Sequence, residues 1–157
     1  MFEISVEPLD IQAYQRAVSH PSCGAELLFL GAVRDNFAAR PVTALEYQAY
    51  PALAIPVMQQ MVADMQAIVP GARAAIGHRT GRLELGEVSL VVAVSTPHRG
   101  ECYKASRFLI EALKERLPVW KKEIFADGDA HWKPNDPDAL SGPAPERRSS
   151  QVGRQAL

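Results

Sequence analysis

Two lysines seven residues apart, Lys114 and Lys121, flank Pro118 in a cation-rich stretch. From His98 to Lys122, seven Lys and Arg face three Glu, within a chain of formal net charge −1. A lysine at a helix C-terminus ordinarily just compensates the helix dipole. Half-buried among other cations, it acquires a lowered pKa and can transfer a proton or act as a nucleophile. Spacing alone leaves both readings open. His98-Arg99 follows Pro97, where a strand pattern gives way to a helix pattern. Backbone N–H groups at such a junction favour anions, and an arginine fork fits phosphate or carboxylate. Gly31-Ala32-Val33-Arg34 forms a second junction, with Arg34 opening a polar loop. Cys102 lies four residues after His98 and could form a Cys/His pair. It also falls in an apolar helical stripe, where a free cysteine is normally core. Neither Cys23 nor Cys102 belongs to a CxxC, and no GxxxxGK[ST], GxGxxG, HExxH or GxSxG is present. Zinc-knuckle, nucleotide, zinc-protease and serine-hydrolase readings therefore lack their motifs.

These residues need elements to hold them. Alternating Phe2, Ile4 and Val6 predict a strand over Met1–Glu7, and Asp10 can cap a helix through Val18. The apolar run Ala25–Val33 predicts a buried strand, Asp35–Pro41 a loop, and Val42–Tyr50 another strand. Ala52–Val69 carries Ile55, Met58, Met61, Met65 and Ile68 at helical spacing, read as core packing, and Pro70-Gly71 stops it. Ala72–His78 and Val88–Ser95 read as strands, with a hairpin-like piece over Thr80–Glu87. A helix runs from about Gly100 to Leu117, and Val119–Phe125 is the last strand expected, with Gly128 a turn before Trp132. The predicted class is α+β (mixed α/β), with a main sheet and a small additional antiparallel sheet.

A chain of 157 residues, 47% apolar, can bury its own core. That excludes a disordered chain or a disulfide-stapled miniprotein. No apolar run approaches a membrane span, and the acidic N-terminal stretch does not read as a signal peptide. The expected location is cytoplasmic. A domain over 1–133 and a flexible tail over 134–157 are expected, because the tail holds four prolines and no aromatic residue.

Six segments in order resemble the large, catalytic subunit of molybdopterin synthase: Gly31-Ala32-Val33-Arg34-Asp35, Leu45–Tyr50, His78–Leu83, Ser95-Thr96-Pro97-His98-Arg99, Leu113-Lys114 and Pro118-Val119-Trp120-Lys121-Lys122-Glu123. The resemblance covers about 130 residues and implies an α/β hammerhead-like fold. It implies a sulfurtransferase that installs the dithiolene of molybdopterin on cyclic pyranopterin monophosphate. The sulfur arrives as a thiocarboxylate on the C-terminal glycine of a small ubiquitin-like subunit whose tail enters the large subunit. Two large subunits form a central dimer within a heterotetramer. No cofactor, metal, nucleic acid or membrane is implied. Carried over by motif, Lys114 and Lys121 are the catalytic lysines. Arg34, the backbone of Ala32 and Val33, His98, Arg99, Lys122 and Glu123 contact substrate or the inserted tail, with His98-Arg99 able to come from the neighbouring large subunit. Arg40, in the shortened loop, is a further candidate for the phosphate. A non-catalytic docking module for a ubiquitin-like tail is the alternative reading; a Cys102-dependent enzyme is a third.

Overall fold

The computed structural model describes residues 1–134. The expected tail lies outside the described residues, apart from Pro134, which ends a strand. Twelve elements follow in order: β1 (Phe2–Ser5), α1 (Ile11–Val18), β2 (Ala25–Ala32), β3 (Asn36–Phe37), β4 (Arg40–Ala49), α2 (Pro51–Ile68), β5 (Arg73–Arg79), β6 (Gly81–Glu84), β7 (Val88–Thr96), α3 (Arg99–Arg116), β8 (Val119–Phe125) and β9 (Ala130–Pro134). The mixed α+β class is as the sequence predicts.

The main sheet has the order β1-β5-β7-β2, with β1 parallel to β5 and the other pairs antiparallel. One of its two inner strands, β7, alternates between two cores. Leu90, Val92 and Val94 pack with α2 and α3, while Val91 and Ala93 pack with Tyr14 and Val18 of α1. Helices on both faces explain why β7 reads as an unbroken apolar run rather than an alternating one. The Met58, Met61 and Met65 stripe is wholly buried in the larger core, as helical spacing predicts. Cys102 belongs to the same core at 2% exposure. Its thiol points at the carbonyls of Val94 and Ala25, and burial pushes its pKa up, so it is a packing residue and not a nucleophile.

The second sheet is larger than the sequence implies. It runs β3-β4-β8-β9, with β6 also pairing β4. Two sequence expectations are corrected here. Val119–Phe125 is not the last strand, because the chain turns at Gly128, φ +87°, and returns as β9. The expected loop Asp35–Pro41 contains a tight hairpin, in which Asn36 pairs Pro41 and Phe37 pairs Arg40. Its two turn residues, Ala38 and Ala39, have φ of +48° and +62°. Left-handed backbone costs a non-glycine residue roughly 1–2 kcal/mol, and this turn lacks the Asn-Gly signal that would have revealed it. Arg40, the further phosphate candidate, does not line the cavities that hold Lys114 and Lys121 and is engaged in contacts within the fold. It bridges Asp127 and Asp129 at 2.9 and 2.8 Å and stacks 3.8 Å from the Phe125 ring centroid, clamping the β8–β9 turn.

Candidate active site

Two irregularities in the sheets shape one region. Between Gly31 and Ala32 the β2–β7 register slips, leaving Ser89 as the extra residue, and its hydroxyl donates to the Gly31 carbonyl at 3.1 Å. Between Val42 and Ala44 the β4–β8 register slips at Thr43, whose hydroxyl donates to the Ile124 carbonyl at 3.1 Å. A bulge re-aims the side chains beyond it. Here it brings Val42, Leu45 and Tyr47 to one cavity, although strict alternation would send Val42 and Leu45 to opposite faces.

Two adjoining cavities lie in this region. One, of about 120 Å³, is lined by Arg34, Asn36, Phe37, Lys114, Lys121 and Glu123 among others. The second, of about 110 Å³, is lined by Gly31, Tyr47, His78, Ser89, Lys114 and Lys121 among others. Ala32, Tyr47, Lys114 and Lys121 border both. The last turn of α3 delivers Lys114, and β8 delivers Lys121 from across Pro118. The hairpin that the sequence hides delivers Asn36 and Phe37.

The electrostatics separate the two lysines. Lys121 Nζ lies 3.3 Å from Glu123 Oε1, a carboxylate in a residue only 1% exposed, and 5.3 Å from the Phe37 ring centroid. Half-buried Lys114 makes no ion pair with a described residue. Burial first, then Lys121 and Arg34, holds its pKa below the ordinary lysine value. An amine so placed is easier to deprotonate and is a better proton donor when charged.

The other sequence candidates divide. Arg34 and Ala32 line the cavity. Val33 is buried, with its N–H donating to Glu87 and its carbonyl accepting from Gly86, so its backbone is already committed to the fold. Lys122 projects from the opposite face of β8, where it meets Glu46 at 3.5 Å and Trp132 at 5.6 Å. Exposed His98 caps α3 and exposed Arg99 begins it, sixteen and fifteen residues before Lys114. At 1.5 Å per residue that is roughly 22 Å away, so within one chain they do not reach the lysines.

Among the cavity residues left without a role by the sequence are Tyr47 and His78, although His78-Arg79, at a strand end, was open to touching the site or only a nearby carboxylate. Their strands were legible, but which face they turn inward depends on the bulges and on how the two sheets meet. His78 is 6% exposed and its ring stands edge-on to Tyr47, centroids 4.9 Å apart. Burial, reinforced by the charge of Lys114, pushes its pKa down to about 4, against an upward pull from its bond to the Arg79 carbonyl. The unfolded imidazole therefore takes up a proton that the folded one refuses. Stability should fall as pH drops from about 6.5 to about 4, by on the order of 3 kcal/mol from this group. Urea midpoints across that range check it; the slope should be shallower in His78→Gln.

Known proteins resemble this chain in sequence and fold. A family model described as MoaE protein matches residues 4–116. The chain is 44% identical over 128 residues to a molybdopterin synthase catalytic subunit of Halalkalibacterium halodurans, covering 82% of each. It is 40% identical to molybdopterin synthase catalytic subunit 1 of Mycobacterium tuberculosis, covering 80% of this chain and 85% of that protein. The crystal structure of molybdopterin synthase from Staphylococcus aureus superposes with a TM-score of 0.80 at 35% identity, over 84% of this chain and 96% of that one. A subunit complex of molybdopterin-converting factor from Helicobacter pylori shares the fold, with a TM-score of 0.69 at 21% identity, over 83% of this chain and 88% of that one. The chain belongs to the MoaE family, whose matched relatives are catalytic subunits of molybdopterin synthase.

Proposed function

We propose that the paired cavities around Lys114 and Lys121 are where this molybdopterin synthase subunit moves sulfur onto cyclic pyranopterin monophosphate. The sulfur comes from the thiocarboxylated C-terminal glycine of a small ubiquitin-like partner. The observation that carries the reading is the cavity's charge: Arg34, Lys114 and Lys121 line it, and Glu123 alone opposes them, already beside Lys121. A phosphate and a thiocarboxylate are both anions, and a low-dielectric cationic pocket favours both.

The two lysines suit different tasks. Lys121, held by Glu123, has a fixed position and suits orientation of the thiocarboxylate. Lys114, with a lowered pKa and no counter-ion among the described residues, suits proton donation as sulfur adds to the pterin side chain, or a transient adduct. Small partner subunits fit this picture, since the Helicobacter pylori chain of the same fold is in a complex of subunits 1 and 2. His98 and Arg99 reach a substrate only if a second copy of the chain supplies them, as in a central dimer. Residues 1–133 would form the catalytic domain. The cytoplasm suits it: both cysteines are free, and among the described residues no helix is long and apolar enough to cross a membrane.

Reconstitution tests the reading. The purified chain is mixed with a thiocarboxylated small subunit and the cyclic pterin, and dithiolene product is followed. Wild type should turn over. Lys121→Ala should lower kcat/KM by about tenfold or more, in keeping with a charge that positions a reacting anion. A stable complex without product would favour the docking-module reading instead.

A further inference from the structure

His78 shares a cavity wall with Lys114. Its Nδ1–H donates to the Arg79 carbonyl at 2.8 Å, because a carbonyl can only accept. That bond decides the tautomer: Nε2 carries the lone pair. Nε2 makes no hydrogen bond within the described chain. Among the described residues, no buried side-chain nitrogen or oxygen lacks a partner. Nε2 therefore opens onto space, and the space its ring lines is the 110 Å³ cavity. A purely structural histidine would have both nitrogens satisfied, or could be an apolar ring of the same shape. This one presents a fixed acceptor into a cavity where a half-buried lysine has no counter-ion among the described residues. The ring cannot swing away, because Tyr47 stands edge-on against it and β5 is paired on both sides. The titratable groups around the two cavities are Lys114, Lys121, Tyr47, Arg34 and Glu123.

We propose that His78 is a positioning residue for the Lys114 amine, its Nε2 accepting an N–H of Nζ directly or through one water and so aiming the remaining face of Nζ at the reacting atoms. The inference rests on the reading of Lys114 as the working amine. A cavity of this volume holds only a few waters, so the two groups communicate over a short path. A neutral acceptor is required here, because a carboxylate would pair the amine and raise its pKa. The buried, uncharged imidazole meets that need throughout the neutral pH range.

Two variants divide the ring's functions. His78→Asn keeps a donor near the Nδ1 position, for the Arg79 carbonyl, but removes the Nε2 acceptor. His78→Gln reaches the Nε2 position with an amide oxygen. In the reconstituted complex, His78→Asn should lower kcat by about tenfold with KM within about twofold, and His78→Gln should recover most of the loss. Lys114 is also titrated directly, by its acylation rate as a function of pH, read by peptide mass spectrometry on the intact complex. Losing the acceptor destabilises the charged amine, so the midpoint for Lys114 should move down in His78→Asn and return in His78→Gln. Unchanged kcat and an unchanged Lys114 midpoint in folded His78→Asn would overturn the proposal. Equal losses in both variants would overturn it too, since they would mark a packing role. If the wild-type complex makes no product at all, the functional reading fails, while the Lys114 titration still decides the coupling. The titration also decides it if His78→Asn does not fold, by comparing His78→Gln with wild type: a Lys114 midpoint shifted in folded His78→Gln, despite its acceptor oxygen, would overturn the proposal.

Discussion

Replacing Lys114 by alanine should lower kcat by at least about a hundredfold while leaving the fold and partner capture in place. A positioned proton donor contributes roughly 10²–10⁴ to rate, and neither Lys121 nor Arg34 can substitute. Lys121 is drawn to Glu123, and a guanidinium does not give up its proton near neutral pH. The loss should fall on kcat more than on KM, since Arg34 and Lys121 still attract the anions. The same residue predicts an opposite effect on stability. A lysine whose folded pKa lies below its unfolded value binds its proton more weakly in the native state. Stability therefore rises with pH through that window, and below it the charged amine destabilises the fold. Lys114→Met, which keeps the apolar stem, should melt above wild type at pH 7 while being inactive. The difference should shrink as pH rises toward the ordinary lysine value. Thermal melts at pH 7 and pH 10, beside the kinetics, check both halves. A variant that loses assembly along with activity would remove Lys114 from the chemistry.

Gly77→Ala should be among the most damaging single substitutions outside the cavities. Gly77 lies in β5, paired to Glu3 of β1 and Val91 of β7. An added Cβ would overlap the phenol of Tyr14, which is 0% exposed. The ring cannot retreat, for it is packed with Val18, Ala75, Val91 and Ala93, and its hydroxyl donates to Glu3 at 2.6 Å. Burial and that carboxylate push the Tyr14 pKa well up, so the phenol stays a donor. Overpacking a full core costs about 1–3 kcal/mol, and a displaced Tyr14 would lose its hydrogen bond as well. An expected cost of about 3 kcal/mol corresponds to a Tm lower by roughly 6–12 °C for a chain of this size. A double-mutant cycle with Tyr14→Ala isolates the cause, because Gly77→Ala should cost little once the phenol is gone. Additive losses would place the strain in the backbone instead.

Much of the site's chemistry was legible in residue types and order. The cation-rich stretch, the Lys114–Lys121 spacing around Pro118, and the six ordered segments identify the family before any coordinates are known. Local rules also held for the helices: Asp10 caps α1 through the N–H groups of Gln12 and Ala13, as its position predicts. Periodicity located β4, β7 and β8 within a few residues, because burial on one or both faces writes itself into the alternation of apolar residues.

What the tertiary structure alone decided is which of those residues meet. The β3–β4 hairpin was invisible because two alanines hold left-handed backbone that surrounding pairing enforces. Lys121 and Lys122 are adjacent in sequence, yet strand alternation sends them to opposite faces, and only the sheet's packing shows which one faces Lys114. His98 caps the helix that carries Lys114, yet the length of that helix separates them. His78 becomes a neutral acceptor beside Lys114 only because β5 is buried between layers. The sequence by itself determined the chemical groups, the elements and the family, since these follow from local chemistry and order. Side-chain convergence depends on bulge register and on how the two sheets meet. Those are settled by contacts between distant parts of the chain, which no local pattern encodes.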